Sequence, residues 1–131
     1  MMVLIGVELL SLFFSLSTLS SVRAYVGGEG LWSKAQKDAV FHLYKYGVAG
    51  NPEDYRLFLK FLDVPTGDGE ARQVLFNAHP DLRSAREGFL KGRNHPDDIK
   101  GMIWLFRNFS KTAYIGKAIA VWTEAEPIAL E

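Results

Sequence analysis

The chain has 131 residues and no cysteine, and its 15 basic and 15 acidic residues give a formal net charge of zero. This length allows one domain, or a small domain with a membrane segment. The missing cysteine excludes disulfides, thiolate metal sites and cysteine nucleophiles. The neutral charge gives no general attraction to nucleic acid, and an apolar content of 48% is too high for a disordered chain.

The first 22 residues are apolar and carry a single charged side chain, Glu8. About twenty helical residues cross a hydrocarbon layer of ~30 Å. Three interpretations follow: a retained membrane anchor over residues 1–23, a signal peptide cleaved after Ala24, or a buried core helix. We expect the anchor, because the basic start of a signal peptide is missing. A domain this small also has few places to enclose a helix that is apolar all round.

Helical periodicity continues through residues 24–131. Gly27, Gly28 and Gly30 indicate a flexible or kinked exit from the anchor. A helix then follows, with an apolar stripe at four-residue spacing, and Gly50 ends it. The stripe consists of Leu31, Ala35, Ala39 and Leu43.

The next helix has clear start signals, since Asn51 can cap it and Pro52 suits its first position. A second apolar stripe follows, and the segment 65–69 (Pro-Thr-Gly-Asp-Gly) predicts a turn. The stripe comprises Tyr55, Phe58, Leu59 and Leu62. Glu53 and Asp54 are expected to be helix-start carboxylates, which the helix dipole favours.

Four more helical stretches complete the chain. A short helix over residues 71–78 is broken at His79-Pro80-Asp81, and another begins at Leu82. Pro96 opens a further helix with the same start signals as Pro52, and a last helix begins near Thr112. We therefore predict an all-α fold, in which an N-terminal transmembrane helix runs into a four-helix-bundle-like domain over residues 24–131 with short extra helices. Its expected core aromatics are Phe58, Phe89, Phe106 and Trp122.

The sequence predicts neither catalytic nor metal-binding residues, and no cofactor. His42, His79 and His95 lack the spacing of a metal site, so we interpret them as ordinary turn and surface histidines. Adjacent carboxylates such as Asp97 and Asp98 point about 100° apart on a helix, so a helix-start role accounts for them better than an acid/base pair. An enzyme is the least favoured class.

Two clusters of aromatic and cationic side chains are the candidate ligand sites. Lys100, Trp104 and Arg107 fall on one helix face, and Trp32 with Lys37 forms a weaker pair. Such a face can bind an anionic ligand or an acidic protein surface. The alternative is a solvated face with Trp104 lying across a neighbouring helix. Both patches are too small and too balanced by acids for nucleic acid.

Three sequence blocks resemble the N-terminal sensory region of bacterial membrane-bound signalling proteins, namely hybrid sensor histidine kinases and GGDEF/EAL cyclic-di-GMP proteins. The blocks are Ala24–Ala39, Asn94–Arg107 and Ala118–Glu124. The resemblance extends from about Val22 to Leu130. It implies a helical input domain outside the cytoplasm, attached to the inner membrane by the first helix, with the output carried by further domains.

The resemblance also implies the remaining expectations. The domain is expected to be periplasmic, although the cations Arg23, Lys34 and Lys37 after the apolar segment favour the cytoplasm by the positive-inside rule. Expected partners are the membrane, a small-molecule or protein ligand, and a second copy in a homodimer. The chain stops at Glu131 before any output module, so we expect a fragment or a truncated product. The alternative is a complete single-pass membrane protein that acts as a docking module.

Overall fold

The computed structural model describes residues 1–112, 116–117, 119–121 and 124. The helices in this part of the chain are α1 (Met2–Ala49), α2 (Pro52–Phe76), α3 (Leu82–Lys91) and α4 (Pro96–Phe109). The described residues from 116 onwards are also helical. The predicted all-α class, with a long apolar N-terminal helix followed by a bundle-like helical region, is confirmed.

Helix α1 is a single element of 48 residues, about 72 Å long. It passes through Gly27, Gly28 and Gly30 and across the predicted domain boundary at residues 23/24 without a break, so no new helix begins after the glycines, contrary to the prediction. Gly28 has a packing reason instead: a Cβ atom there would lie 2.7 Å from Asn94 Oδ1. Gly50 ends α1 as predicted, in the left-handed conformation at φ 65°.

The N-terminal part of α1 is long and apolar enough to cross a membrane. Its most apolar 18-residue window has a mean hydropathy of 2.0, and none of it is buried within the protein. The interpretation as a buried core helix is therefore wrong. Hydroxyl groups in the segment donate to carbonyl oxygens one turn earlier, as Thr18 Oγ1 does to Phe14 O at 2.9 Å. Such bonds satisfy polar groups within the helix.

Helix α2 begins as predicted but continues past the predicted turn. The Asn51 side chain accepts a hydrogen bond from the backbone N–H of Glu53 at 3.0 Å, and Pro52 occupies the first turn. The segment 65–69 lies inside the helix, so the turn prediction is wrong. Pro65 removes one backbone hydrogen bond from the helix. Burial of Val64, Pro65 and Gly67 against the rest of the protein offsets that loss.

Position 67 requires a glycine because the backbone of α3 packs directly against the backbone of α2 there. A Cβ atom on Gly67 would lie 2.6 Å from Gly88 O and 2.6 Å from Gly92 N. On the α3 side, a Cβ atom on Gly88 would lie 2.8 Å from Gly67 O. Asp81 caps α3, since its carboxylate accepts a hydrogen bond from the N–H of Arg83 at 3.0 Å.

The core lies where all four helices meet. Phe89 and Phe106 are fully buried, as predicted, whereas Phe58 is half-buried and Trp122 lies outside the described residues. Other core members come from every helix and from the helical residues beyond α4. They include Ala24, Tyr25, Ala71, Leu75, Ile99, Met102, Leu105 and Ile119.

The α1–α2 hairpin near Gly50 leaves apolar side chains in solvent. Leu43, Tyr55 and Leu59, predicted as core stripe residues, are 44%, 43% and 47% exposed. Small residues take the inward positions instead, since Ala35 and Ala39 are buried. The stripes therefore form the expected helices, but their larger members do not reach the core.

Candidate functional site

The five candidate ligand residues lie in two separate places. Lys100, Trp104 and Arg107 are on α4, and the Trp104 ring meets the Phe14 ring edge-on at 6.3 Å between centroids. Trp32 lies 18 residues beyond Phe14 on α1, about 27 Å further along the helix. The structure therefore does not combine the two clusters into one site.

The candidate ligand residues also differ in how much of each side chain is exposed to solvent. Trp32 is 7% exposed and lies against the bundle. Lys37 is on the solvent side of α1, and Arg107 is on the solvent side of α4. Trp104 is half-buried and lies across α1, as the alternative interpretation predicted.

A groove of about 610 Å³ runs between α1 and α4 and includes two of the candidates, Lys100 and Trp104. Pockets of this size commonly hold small-molecule ligands. Part of the lining is apolar and part is polar. The apolar residues are Phe13, Leu16, Ala24 and Trp104; the others are Ser17, Ser20, Ser21, Asp97, Asp98, Lys100 and Gly101.

The floor of the groove is a close approach of the two helices. A Cβ atom on Gly101 would lie 2.9 Å from Ser21 Oγ and 3.4 Å from Ser21 Cα, so a larger residue would push α4 away. Ser21 Oγ donates to Ser17 O at 3.0 Å, which keeps this hydroxyl against its own helix. The two helices are antiparallel, because Asn94 lies beside Gly28 and Trp104 lies beside Phe14.

The acidic end of the groove is the first turn of α4. Pro96 is at the helix start, and Asp97 and Asp98 follow in the first turn, as predicted. The His95 side chain accepts a hydrogen bond from the N–H of Asp97 at 3.3 Å. The two carboxylates have a stabilising role at the positive end of the helix dipole. They also face the groove, which the sequence did not predict.

A smaller cavity of about 390 Å³ continues the α1–α4 seam away from Phe13, and it shares Ala24 and Asp98 with the groove. Arg23, Arg93 and His95 line it. Arg93 is held firmly: its guanidinium donates to Lys60 O at 2.8 Å and lies over the Phe61 ring at 5.4 Å. Two arginines, Arg23 and Arg93, therefore lie at this end of the seam.

A buried polar cluster, absent from the sequence predictions, lies behind the seam. It consists of Tyr25 on α1, Asp68 and Arg72 on α2, and Asn94 before α4, all nearly inaccessible. Asn94 Nδ2 donates to Asp68 Oδ1 at 2.7 Å and to Phe89 O at 3.1 Å. Burial raises the pKa of Tyr25 to about 12, against the opposing effect of the Arg72 charge. The phenol therefore stays neutral at ordinary pH, and the cluster joins three parts of the fold rather than supplying a base.

A second polar cluster connects α1 to α2 near the hairpin turn. Asp54 is 3% exposed, and its Oδ1 accepts from His42 Nδ1 at 2.8 Å and from Lys45 Nζ at 2.9 Å. The His42 ring stacks on Phe61 at 5.6 Å between centroids. Hydrogen bonds from His42 and then Lys45 lower the pKa of Asp54. His42 was predicted as an ordinary histidine and Asp54 as a helix-start carboxylate; the pairing between them was missed.

The described residues contain no group of three or more His, Asp or Glu side chains placed to hold a metal ion. Comparison with known proteins found no matching family model, no matching curated protein and no matching solved structure. The groove between α1 and α4 is therefore the candidate site on geometric grounds alone. It combines a cavity, an apolar wall and charged groups.

Proposed function

We propose that this protein is the membrane-anchored helical input module of a bacterial signalling protein. The single observation that carries the proposal is the continuity of α1. One helix contains the exposed apolar segment at its start, packs against α4 from Phe14 onwards, and packs against α2 further along. The resemblance of the three sequence blocks to sensory regions supports the signalling role.

The proposed mechanism uses the groove as the input. A ligand in the groove touches both α1 and α4, so it favours the helix arrangement that fits it best. The groove lies beside the apolar segment itself, along Phe13 to Ser21, and α1 has no break there. A shift or rotation of α1 would therefore move the membrane segment as part of the same rigid element. Conversion of binding into an output then belongs to other domains, as in the signalling proteins that the sequence resembles.

The proposed location is the bacterial inner membrane, with the helical domain in the periplasm. The exposed apolar segment supports membrane attachment, and the resemblance supports the periplasmic side. A single-cysteine experiment tests both, because the natural chain has no cysteine. Lys37→Cys places a thiol on the exposed side of α1, outside the apolar segment.

We expect the Lys37→Cys protein to stay in the membrane pellet after alkaline carbonate washing. A membrane-impermeant maleimide should label it in intact cells whose outer membrane has been permeabilised. The cysteine-free parent is the control for background labelling. Recovery of a soluble product that starts near Tyr25 would favour a cleaved signal peptide, and labelling only after lysis would place the domain in the cytoplasm.

A docking module is the second candidate function, and one observation favours it. The hairpin near Gly50 exposes large apolar side chains, among them Val40, Tyr44 and Val48 at 67%, 70% and 72% exposure. Exposed apolar groups of this kind are typical of a surface that contacts another protein. Chemical cross-linking of the full chain in membranes, with single cysteines at Tyr44 or Val48, would detect a second copy or another membrane protein there.

A further inference from the structure

We propose that the groove between α1 and α4 binds one phospholipid whose headgroup carries a primary amine. The inference rests on the membrane attachment proposed above and adds the chemical class of the ligand. It depends on the order of chemical groups along the groove and on the direction in which α1 leaves the bundle.

The apolar end of the groove lies within the proposed membrane segment of α1. Phe13, Leu16 and the half-buried Trp104 line this end, and α1 continues from there to Met2 through exposed apolar residues. An acyl chain that lies against these three side chains therefore also lies in the hydrocarbon layer that surrounds the rest of the segment. Aromatic and aliphatic walls of this kind bury such a chain favourably.

The polar groups follow in the order found in an aminophospholipid. On α4, Lys100 lies between Asp97 and Trp104, about one helical turn from each. Starting from the apolar end of the groove, the cation is therefore reached before the carboxylates. A phosphate beside Lys100 and the hydroxyl of Ser20 would leave the amine, two carbons further on, next to Asp97 and Asp98. An ammonium group donates charge-assisted hydrogen bonds to carboxylates, which a quaternary choline cannot do.

Two amine headgroups fit this order of groups, and they differ in what they would place in the smaller cavity beyond Asp98. Ethanolamine ends at the amine, whereas serine adds a carboxylate that would lie toward Arg23. Both share the primary amine that the proposal requires. A headgroup without an amine, such as glycerol, would leave Asp97 and Asp98 facing the phosphate without a cation between them, which is unfavourable.

The test measures which lipids the full chain retains. The protein is reconstituted in membranes with equal parts of phosphatidylethanolamine, phosphatidylserine, phosphatidylcholine and phosphatidylglycerol, extracted in a mild detergent, and its bound lipids are quantified by mass spectrometry. We expect enrichment of one or both amine lipids over the other two by roughly fivefold, the size expected for a partly exposed charge-assisted hydrogen bond. The more enriched of the two amine lipids identifies the headgroup that the groove prefers.

Variants connect the enrichment to the groove. Asp97→Asn with Asp98→Asn should reduce it to less than about twofold, and Lys100→Gln should reduce retention of all four lipids. Asp63→Asn, at an exposed position on α2, is the matched control and should change nothing. Circular dichroism confirms that each variant is folded, and Trp104→Leu keeps the carboxylates while removing an apolar wall, so it should weaken retention without changing headgroup preference.

Two results overturn the proposal in distinguishable ways. If alkaline carbonate releases the chain from the membrane, the anchor and the groove both fail. If the chain stays in the membrane but retains the four lipids in bulk proportions, or with the same preference after substitution of Asp97 and Asp98, only the groove proposal fails.

Discussion

At the scale of single residues, Asp54 shows how a capping carboxylate can also connect two helices. It lies in the first turn of α2, where the helix dipole favours a negative charge. The same carboxylate accepts hydrogen bonds from His42 and Lys45 on α1. The capping role is visible in the sequence, but the contacts across the hairpin depend on how the two helices lie against each other.

The lowered pKa of Asp54 predicts acid sensitivity of the hairpin. The folded chain keeps this carboxylate ionised at a pH where the unfolded chain already binds a proton. Its contribution to stability is therefore complete above the ordinary aspartate pKa, and it is lost as the pH falls through the lower folded pKa. Thermal unfolding followed by circular dichroism between about pH 6 and about pH 3 should show a steeper fall for the parent than for Asp54→Asn.

The control for this prediction is Asp63→Asn, which removes an exposed carboxylate from the same helix and should leave the parent slope unchanged. Equal slopes for the parent and Asp54→Asn would show that the contacts with His42 and Lys45 contribute no pH-dependent stability. At pH 7, Asp54→Asn should also unfold at a lower temperature than the parent, because the neutral amide oxygen is a weaker acceptor than the carboxylate and lacks the charge that pairs with Lys45.

Only some of the polar contacts can be predicted from the sequence. Gly50 and Asn51 predict a tight connection between two helices, and antiparallel pairing across it brings Lys45 and Asp54 to similar heights. Asp68 and Asn94 are different, since they lie 26 residues apart and meet only because α3 returns the chain to α2. Local patterns contain no information about such a return.

At the scale of helices, α2 shows why a glycine and a proline wrongly predicted a turn. Gly67 and Pro65 are turn formers by local preference, yet both lie within α2. Val64, Ala71 and Leu75 are buried at helical spacing across the same segment. The apolar periodicity therefore indicated the helix better than the glycine and the proline indicated a turn. The tertiary contact with α3 explains why Gly67 is present.

Gly67→Ala is therefore expected to destabilise the protein by about 1–3 kcal/mol or more, because its methyl group would collide with backbone atoms of Gly88 and Gly92 that cannot move independently. Gly47→Ala is the matched control in α1. It has open space around its Cβ position and should stabilise the fold by about 0.5–1 kcal/mol. Urea unfolding of both variants gives the two free energies. A stabilised Gly67→Ala would refute the close packing of α2 on α3.

At the scale of the whole molecule, α4 extends along α1 as far as Phe14, where Trp104 lies well within the apolar segment. Only about 18 Å of helix separates Phe14 from Met2, less than the ~30 Å of a hydrocarbon layer. A span that includes residues beyond Phe14 therefore brings Trp104 to membrane depth. Arg107 limits how far α4 can enter, because a guanidinium costs about 2.5–3.5 kcal/mol at the bilayer centre.

Tryptophan quenching measures this depth. In liposomes that contain phospholipids brominated at mid-chain, a variant with Trp104 as its single tryptophan should lose much of its fluorescence. A variant with only Trp32, about 27 Å further along α1, should be quenched little. Aqueous acrylamide serves as the control for surface exposure. Equal quenching of Trp104 and Trp32 by the brominated lipids would contradict the arrangement of α4 along the anchor.

The helical class and the apolar segment followed from composition and periodicity, because both reflect short-range patterns. The pairing of α4 with the apolar part of α1 did not, since a periodic stripe indicates a buried face without naming its partner. For the same reason, only some of the predicted site residues lie together in the structure. Lys100 and Trp104 line the groove, while Trp32, Lys37 and Arg107 have other surroundings.

The unbroken course of α1 gives the hairpin tip a large lever arm. From Arg23 to Gly50 the helix extends about 40 Å, so a change of roughly 5° in its tilt at the membrane surface would displace Gly50 by about 3–4 Å. Such a displacement is comparable to the width of a side chain. With the proposed membrane attachment, a thinner or more curved bilayer would therefore shift the far end of the molecule, where the exposed side chains of Tyr44 and Val48 would gain or lose contact with a neighbouring surface.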